Sequence, residues 1–369
     1  MALGVFSAIT AGGAAIGLLL GGVLTEYASW RLVLFVNVPI AVVAVVGALR
    51  FLPESKDETA QGFDIPGAVL VTGGLTALVF GLVKLSDDNL SGGVKAGVFV
   101  LAAVLLTAFT VVQLRSRNPL VPFRLFRSKT LLGADLGSLF VGAGIFALFF
   151  FAVLWMQVVN GYGPIRSGLA FLPMTVLIGI SAGVGAKLLG RTGPRPLLLA
   201  GMALAGTGMA SLGLRLEPDS SYLTVVLPSL ALVAAGMGMT FVSLTAAAIG
   251  GVDKADAGIA SALLNAGQQV GGALGLAILT AVSTARTENL FPGIGQAQGE
   301  LQRAFATGDV TTETTRLSSQ VYDALVSGWS AGFLVAAGFL VIAGVVMGSL
   351  VSVSKQDAAA AFEDATPVG

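Results

Sequence analysis

The sequence is dominated by uninterrupted apolar stretches, each about as long as a bilayer is thick. A helix needs about 20 apolar residues to cross the hydrocarbon core, since each residue advances it by about 1.5 Å. Lipid offers backbone groups no hydrogen-bond partner, so stretches of this length indicate helices. The ten stretches are residues 4–25, 31–52, 65–84, 94–114, 131–156, 167–189, 196–215, 222–247, 257–282 and 326–350. The sequence therefore predicts an all-α integral membrane protein with about ten transmembrane helices.

Composition excludes several classes of protein. Hydrophobic residues make up 55% of the chain and charged residues 11%, whereas a soluble domain has about 25% charged residues. A soluble enzyme, a disordered chain and a nucleic-acid-binding protein are therefore excluded for the chain as a whole. The sequence has no Cys and no His, so thiol catalysis and the commonest metal ligands are absent.

Motifs of enzyme chemistry are missing as well. The sequence contains no phosphate-binding loop of the GxxxxGK[ST] type and no nucleophile elbow. An enzyme embedded in the membrane would need carboxylates clustered at one depth, and membrane carboxylates are sparse here. We therefore predict a protein that is not an enzyme and has no cofactor, in which carboxylates carry out any proton handling.

Lys and Arg are distributed unevenly between alternate loops. With Met1 in the cytoplasm, twelve of the twenty lie on the cytoplasmic side and eight on the outer side. Loops on the cytoplasmic side of membrane proteins carry an excess of Lys and Arg. We therefore predict a multi-pass membrane protein, surrounded by lipid, with both termini cytoplasmic.

A regular glycine groove runs along the first stretch, in AITAGGAAIGLLLGGVLTEY. Gly13, Gly17 and Gly21 recur every four residues, and Gly22 follows. A four-residue step turns a helix by about 400°, so these glycines share one face and let another helix approach closely. The groove serves either ordinary helix packing or a function that needs a tight seal.

Two polar residues stand near the ends of the fifth stretch. Asp135 follows Lys129 by six residues. It is either an acid favoured by the dipole at a helix start or a group that handles protons or cations. Gln157 lies 22 residues further on, about 33 Å along a helix. That spacing places Gln157 near the outer face, either as an interfacial group or as the outer gate of a substrate passage.

Uncharged polar residues in two other stretches are further candidates for such a passage. Asn265, Gln268 and Gln269 lie in NAGQQVGGALG, where glycines again repeat every four residues. These side chains either form hydrogen bonds between helices or line the passage. Asn37 lies near Pro39, which frees a backbone carbonyl and predicts a bend that lines a cavity.

The segment RSRNPLVPFRLFRSKT, residues 115–130, mixes five basic residues with apolar ones. Such a segment is either an interfacial element on the anionic inner leaflet or a plain positively charged loop.

Several segments, taken in order, resemble the major facilitator superfamily, specifically the fourteen-span drug/proton antiporters of the EmrB/QacA type. GAAIGLLLGG resembles the antiporter signature of that family's fifth span, with Leu18 at its proline position. SWRLVLFVNVPIAVV resembles the sixth span, and FDIPGAVLVTGGLTALVFGL the start of an extra central pair. NPLVPFRLFRSKTLLGADL resembles the linker into the C-terminal six spans.

This resemblance implies a partial fourteen-span architecture in which the first four spans are missing. Residues 1–52 would be the last two helices of the N-terminal bundle, and 53–114 the extra central pair. Residues 115–130 would be a basic cytoplasmic linker. The C-terminal six-helix bundle would be 131–350, with a long outer loop at about 283–323, and the remaining residues, 351–369, would be a cytoplasmic tail.

A remnant of the family's cytoplasmic loop motif is also similar to part of this sequence. AKLLGRTGPR matches it at Arg191, Gly193 and Arg195. Gly190 stands where the motif has an Asp.

The resemblance implies a secondary transporter of the inner (plasma) membrane that exports small amphipathic molecules in exchange for protons. Its partners would be protons, the substrate and lipid, and its energy source would be the proton gradient. The implied mechanism is alternating access around a midplane cavity. The alternative is a truncated membrane protein that does not transport, or one part of a split transporter that needs a missing N-terminal segment or a partner chain.

Overall fold

The protein is seen in a computed structural model that describes residues 13, 16–17, 19–51, 64–84, 90–116, 119–253, 256–307 and 311–352. These residues form helices and no strand. The predicted all-α fold class is therefore confirmed. Most of the first predicted stretch, 4–25, lies outside the described residues.

Twelve helices are labelled in chain order. They are α1 (residues 19–27), α2 (Trp30–Phe35), α3 (Asn37–Phe51), α4 (Ile65–Val83), α5 (Gly92–Arg115), α6 (Lys129–Leu154), α7 (Pro164–Thr192), α8 (Pro194–Arg215), α9 (Leu227–Gly250), α10 (Ala257–Leu290), α11 (Ile294–Thr307) and α12 (Thr312–Leu350). The described residues contain nine spans that are long and apolar enough to cross a membrane, with α2 and α3 forming one of them.

Two helices extend well beyond the predicted spans. α10 has 34 residues and α12 has 39, which at about 1.5 Å per residue is more than a hydrocarbon core of about 30 Å requires. The projecting start of α12 packs against α11 through a small apolar core of Ala297, Leu301 and Val321. The connector at 283–323 is therefore largely helical in its described part.

The main core lies in a bundle of six spans, α6 to α10 together with α12. Large side chains such as Phe151, Trp155, Phe171 and Phe333 are almost completely buried in it. α4 and α5 form a separate hairpin, and α4 also contacts α10. α2 and α3 bury none of their residues. Apolar side chains that α2 and α3 leave uncovered are compatible with lipid.

The chain between α2 and α3 breaks where the sequence predicts a bend. Val36 is the C-cap of α2, and Pro39 is the third residue of α3. The side-chain amide of Asn37 donates to the carbonyls of Val33, at 3.2 Å, and Leu34, at 3.3 Å. The Asn37 side chain thus bonds α3 to the last turn of α2, although it remains exposed.

The two ends of the bundle are named by their contents. The linker end contains residues 119–128, where the chain passes from α5 into α6. There the Thr130 hydroxyl accepts from the backbone N–H of Ser352 at 3.2 Å, so the start of α6 meets the residues after α12. The far end contains the start of α7 and the helix α11.

Candidate functional site

A very close helix contact joins α6 and α10 and is called the seam. A Cβ added to Gly142 would lie 2.8 Å from the carbonyl carbon of Gln268. A Cβ added to Gly271 would lie 2.5 Å from the Cα of Leu139. The two backbones touch here, because each helix presents a glycine to the backbone of the other. The glycine repeat predicted in the ninth stretch therefore faces α6.

Asp135 is buried in this seam, with 9% of its surface exposed. Both of its carboxylate oxygens lack a hydrogen-bond partner among the described residues. The Ser138 hydroxyl donates to the backbone carbonyl of Asp135 at 2.8 Å and leaves the carboxylate free. A Cβ on Gly267 would lie 3.4 Å from that same carbonyl, which places Asp135 against α10. A charge buried without a partner is expensive, so Asp135 is the most unusual ionisable group in the described spans.

The three polar residues predicted in the ninth stretch do not share one surface. The Asn265 amide donates to the Ser261 carbonyl of its own helix at 3.0 Å. Gln268 touches Gly142 through its backbone and belongs to the seam. Gln269 lines a cleft, of about 530 Å³, between α10 and α4. The other lining residues are Leu75, Thr76, Val79, Phe80, Val83, Val270 and Ala273.

A second cleft, of about 610 Å³, has only apolar lining and was not predicted. Its walls are Ile145, Phe146, Phe149, Phe150, Val153, Leu154 and Leu276. The signal was present, because Phe146, Phe149, Phe150 and Val153 follow the helical spacing of one face. Periodicity alone does not distinguish a cleft wall from an ordinary packed face.

Gln157 lies at the far end, away from Asp135. It is exposed in a turn of π-helix, Trp155–Val159, that extends α6. Its neighbour Trp155 is buried, and the indole N–H donates to the Glu217 carbonyl at 3.1 Å. Gln157 therefore does not line either of the clefts described above.

The residues of the loop-motif remnant connect α7 to α8 at the linker end. Gly193 has a φ of 79°, a conformation that favours glycine, and Pro194 begins α8 directly after it. Arg191 and Arg195 are exposed. Gly193 thus has a clear role in the turn, and among the described residues neither arginine is bonded to the Asp135 carboxylate.

The antiporter-signature glycines differ in their surroundings. A Cβ on Gly13, Gly17 or Gly21 would meet nothing within 4 Å. A Cβ on Gly22 would lie 3.0 Å from the Cα of Ile165 in α7. In the described part of the chain, only the last glycine of the groove has another helix close against it.

An ion pair at the linker end joins residues 132 positions apart. The two terminal nitrogens of Arg124 donate to the two carboxylate oxygens of Asp256, each at 2.8 Å. The Asp256 side chain is 8% exposed and that of Arg124 is 61% exposed. A bidentate pair of this kind is strong and directional, and it ties the linker to the start of α10.

We expect Arg124→Ala to destabilise the protein by about 2 kcal/mol, because the buried Asp256 carboxylate would lose its partner. The exposed position of Arg124 keeps the expected effect below that of a fully buried pair. Thermal unfolding of the purified protein measures it. Arg127→Ala is the matched control, since Arg127 is an exposed residue of the same short helix. Equal unfolding temperatures for the two variants would contradict the prediction.

A second polar contact ties the linker to α4 and α5. Asp64 caps α4 by accepting from the Gly67 N–H at 2.9 Å, and it also accepts from the Gln113 amide and the Leu120 N–H. The Gln113 side-chain oxygen accepts from the Val121 N–H at 3.0 Å. The backbone N–H of Gly67 and then the Gln113 amide lower the pKa of Asp64 below its usual value. The linker is thus bonded to the hairpin on one side and to α10 on the other.

These features define a polytopic helical membrane protein with an isolated carboxylate in a tight helix seam. Comparison with known proteins gives the family. Residues 1–276 match the family model for the Major Facilitator Superfamily, and the chain belongs to that family of transporters.

Three relatives show which members this chain is similar to. The puromycin resistance protein pur8 of Streptomyces alboniger is 39% identical over 78% of this chain and 57% of its own length. The cephamycin export protein CmcT of Amycolatopsis lactamdurans is 37% identical over 78% of this chain and 60% of its own length. The tetracenomycin C resistance and export protein of Streptomyces glaucescens is 32% identical over 79% of this chain and 54% of its own length. The chain thus spans little more than half the length of these relatives.

Proposed function

We propose that the protein takes part in proton-coupled export of small amphipathic molecules across the plasma membrane, as a member of the fourteen-span drug/proton antiporter type. The observation that carries the proposal is Asp135, a carboxylate buried in the seam without a partner among the described residues. The ordered resemblance of the segments to that antiporter type supports the finer assignment.

Asp135 is the proposed site of proton coupling. A proton bound to an isolated carboxylate cancels its charge, and loss of the proton restores the charge in a dry site. The two states of Asp135 would therefore favour different arrangements of α6 against α10. Two halves of the protein that alternate around a central cavity would convert this difference into directed transport. The energy source is the proton gradient, and no cofactor takes part.

The proposed substrates have an apolar body and a few polar groups. The names of the relatives specify puromycin, cephamycin and tetracenomycin C. The apolar cleft on α6 suits an apolar ring system, and the cleft at Gln269 adds an amide for hydrogen bonding. We propose Gln269 as the residue of the predicted passage set that contacts substrate.

The proposed orientation places the linker end in the cytoplasm. The count of Lys and Arg favours this arrangement, and the residues described at the linker end include Arg115, Arg124, Arg127, Arg191 and Arg195. Both termini would then lie in the cytoplasm, and α11 would lie on the outer side.

Transport into inside-out membrane vesicles tests the function. Vesicles that contain the whole protein should accumulate ethidium or puromycin when the interior is acidic, and should release it when an ionophore collapses the proton gradient. Vesicles from cells without the protein provide the control. Equal accumulation in both kinds of vesicle would contradict export, and accumulation that persists without the gradient would contradict proton coupling.

A further inference from the structure

We propose that Glu26 acts as a latch that holds α1 against the first turn of α7 and so keeps the far end of the protein closed. The proposal rests on the proposed function in one respect, since alternating access requires this end to open and close. The contact itself is independent of that function.

The start of α7 has no cap of its own. Gly163 precedes the helix and supplies no side chain, and Pro164 has no N–H. The first available donor, the N–H of Ile165, bonds to a carboxylate oxygen of Glu26 at 2.9 Å. A negative charge at this position is stabilised by the unpaired N–H groups and the positive end of the helix dipole.

Two glycines make room for this contact, one on each side. Gly22 lies one turn before Glu26 on α1, and a Cβ there would lie 3.0 Å from both the Pro164 carbonyl oxygen and the Ile165 Cα. A Cβ on Gly163 would lie 3.1 Å from the Glu26 carboxylate. The antiporter-signature groove therefore ends at the point where α1 reaches α7.

Arg166, the basic residue next to Ile165 in α7, contacts an aromatic ring. The guanidinium carbon of Arg166 lies 3.8 Å from the centre of the Tyr162 ring, a cation–π contact. In the part of the chain that the structure describes, Glu26 has no ion pair, so its bond to Ile165 is not set by a neighbouring basic side chain.

The contact has the properties of a reversible latch. Glu26 is exposed, so water can replace the Ile165 N–H when the bond breaks. The seam between α6 and α10, in contrast, buries its contacts and has no such replacement. A contact whose polar groups water can satisfy can open without unfolding either helix.

A single cysteine at Ile165 reports the state of the latch. The chain has no Cys, so Ile165→Cys gives one thiol, and it keeps the backbone N–H that Glu26 accepts from. A membrane-impermeant maleimide should label this thiol about five-fold faster after Glu26→Ala, a ratio equal to about 1 kcal/mol. Glu26→Gln keeps an oxygen acceptor without the charge. Its labelling rate should therefore lie between the rate with Glu26 intact and the rate after Glu26→Ala.

Glu217→Ala is the matched control, because Glu217 is also an exposed acid at the far end. With Glu217→Ala, the thiol at position 165 should be labelled at the same rate as in the protein that carries only Ile165→Cys. Equal rates for Glu26→Ala and Glu217→Ala would overturn the latch. The labelling result decides the proposal whatever the vesicle assay shows. If the latch responds as expected but vesicles show no export, only the proposed function fails.

Discussion

Asp135→Asn should abolish accumulation driven by the proton gradient and leave the protein folded. Asn has nearly the same shape as Asp and fills the same space in the seam, but it cannot bind and release a proton. The carboxylate oxygens have no partner among the described residues, so the substitution removes no known hydrogen bond. A charged residue at membrane depth costs about 2.5–3.5 kcal/mol, and Asn avoids this cost. We therefore expect the unfolding temperature to stay the same or rise.

Vesicle accumulation and substrate exchange together measure this effect. In Asp135→Asn, accumulation should fall to the level of vesicles without the protein, because the gradient can no longer drive the cycle. Exchange of labelled for unlabelled puromycin across the membrane, which needs no gradient, should persist. Asp253→Asn is the control, since Asp253 is an exposed acid at the linker end. Full accumulation by Asp135→Asn would exclude Asp135 as the coupling group.

The lengths of the apolar stretches predicted most of the spans correctly, because a bilayer imposes one length on every helix that crosses it. The exceptions are α10 and α12, which continue as polar helices past the membrane. An apolar stretch ends at the first run of polar residues, whereas a helix continues as long as its backbone hydrogen bonds do. Thr311, for example, caps α12 by accepting from the Thr314 N–H, well before the apolar stretch starts.

The sequence showed the candidate residues but not their partners. The four-residue repeat places Gly267, Gly271 and Gly275 on one face, but it does not say which helix lies against that face. The pair of Arg124 and Asp256 shows the same limit, because no local pattern links residues so far apart in the chain. Asp135 was recognisable from its depth, whereas its isolation required knowledge of every neighbouring side chain.

A single methyl group at Gly271 should disrupt the seam. A Cβ at this position would lie 2.5 Å from both the carbonyl carbon and the Cα of Leu139, and these are backbone atoms that cannot rotate away. Gly271→Ala therefore forces α6 and α10 apart. Overpacking of a tight core costs about 1–3 kcal/mol, and we expect the upper end because backbone meets backbone.

The unfolding temperature of Gly271→Ala, compared with Gly338→Ala, isolates this effect. Gly338 lies within α12, and a Cβ there would meet nothing within 4 Å. Both changes gain helix propensity, by up to about 1 kcal/mol, so Gly338→Ala should unfold at the same temperature as the unchanged protein or slightly higher. Gly271→Ala should unfold at a clearly lower temperature. Because Asp135 lies in the same seam, moving α10 away should also weaken the coupling of export to protons. Equal stability of the two variants would show that the helices do not touch at Gly271.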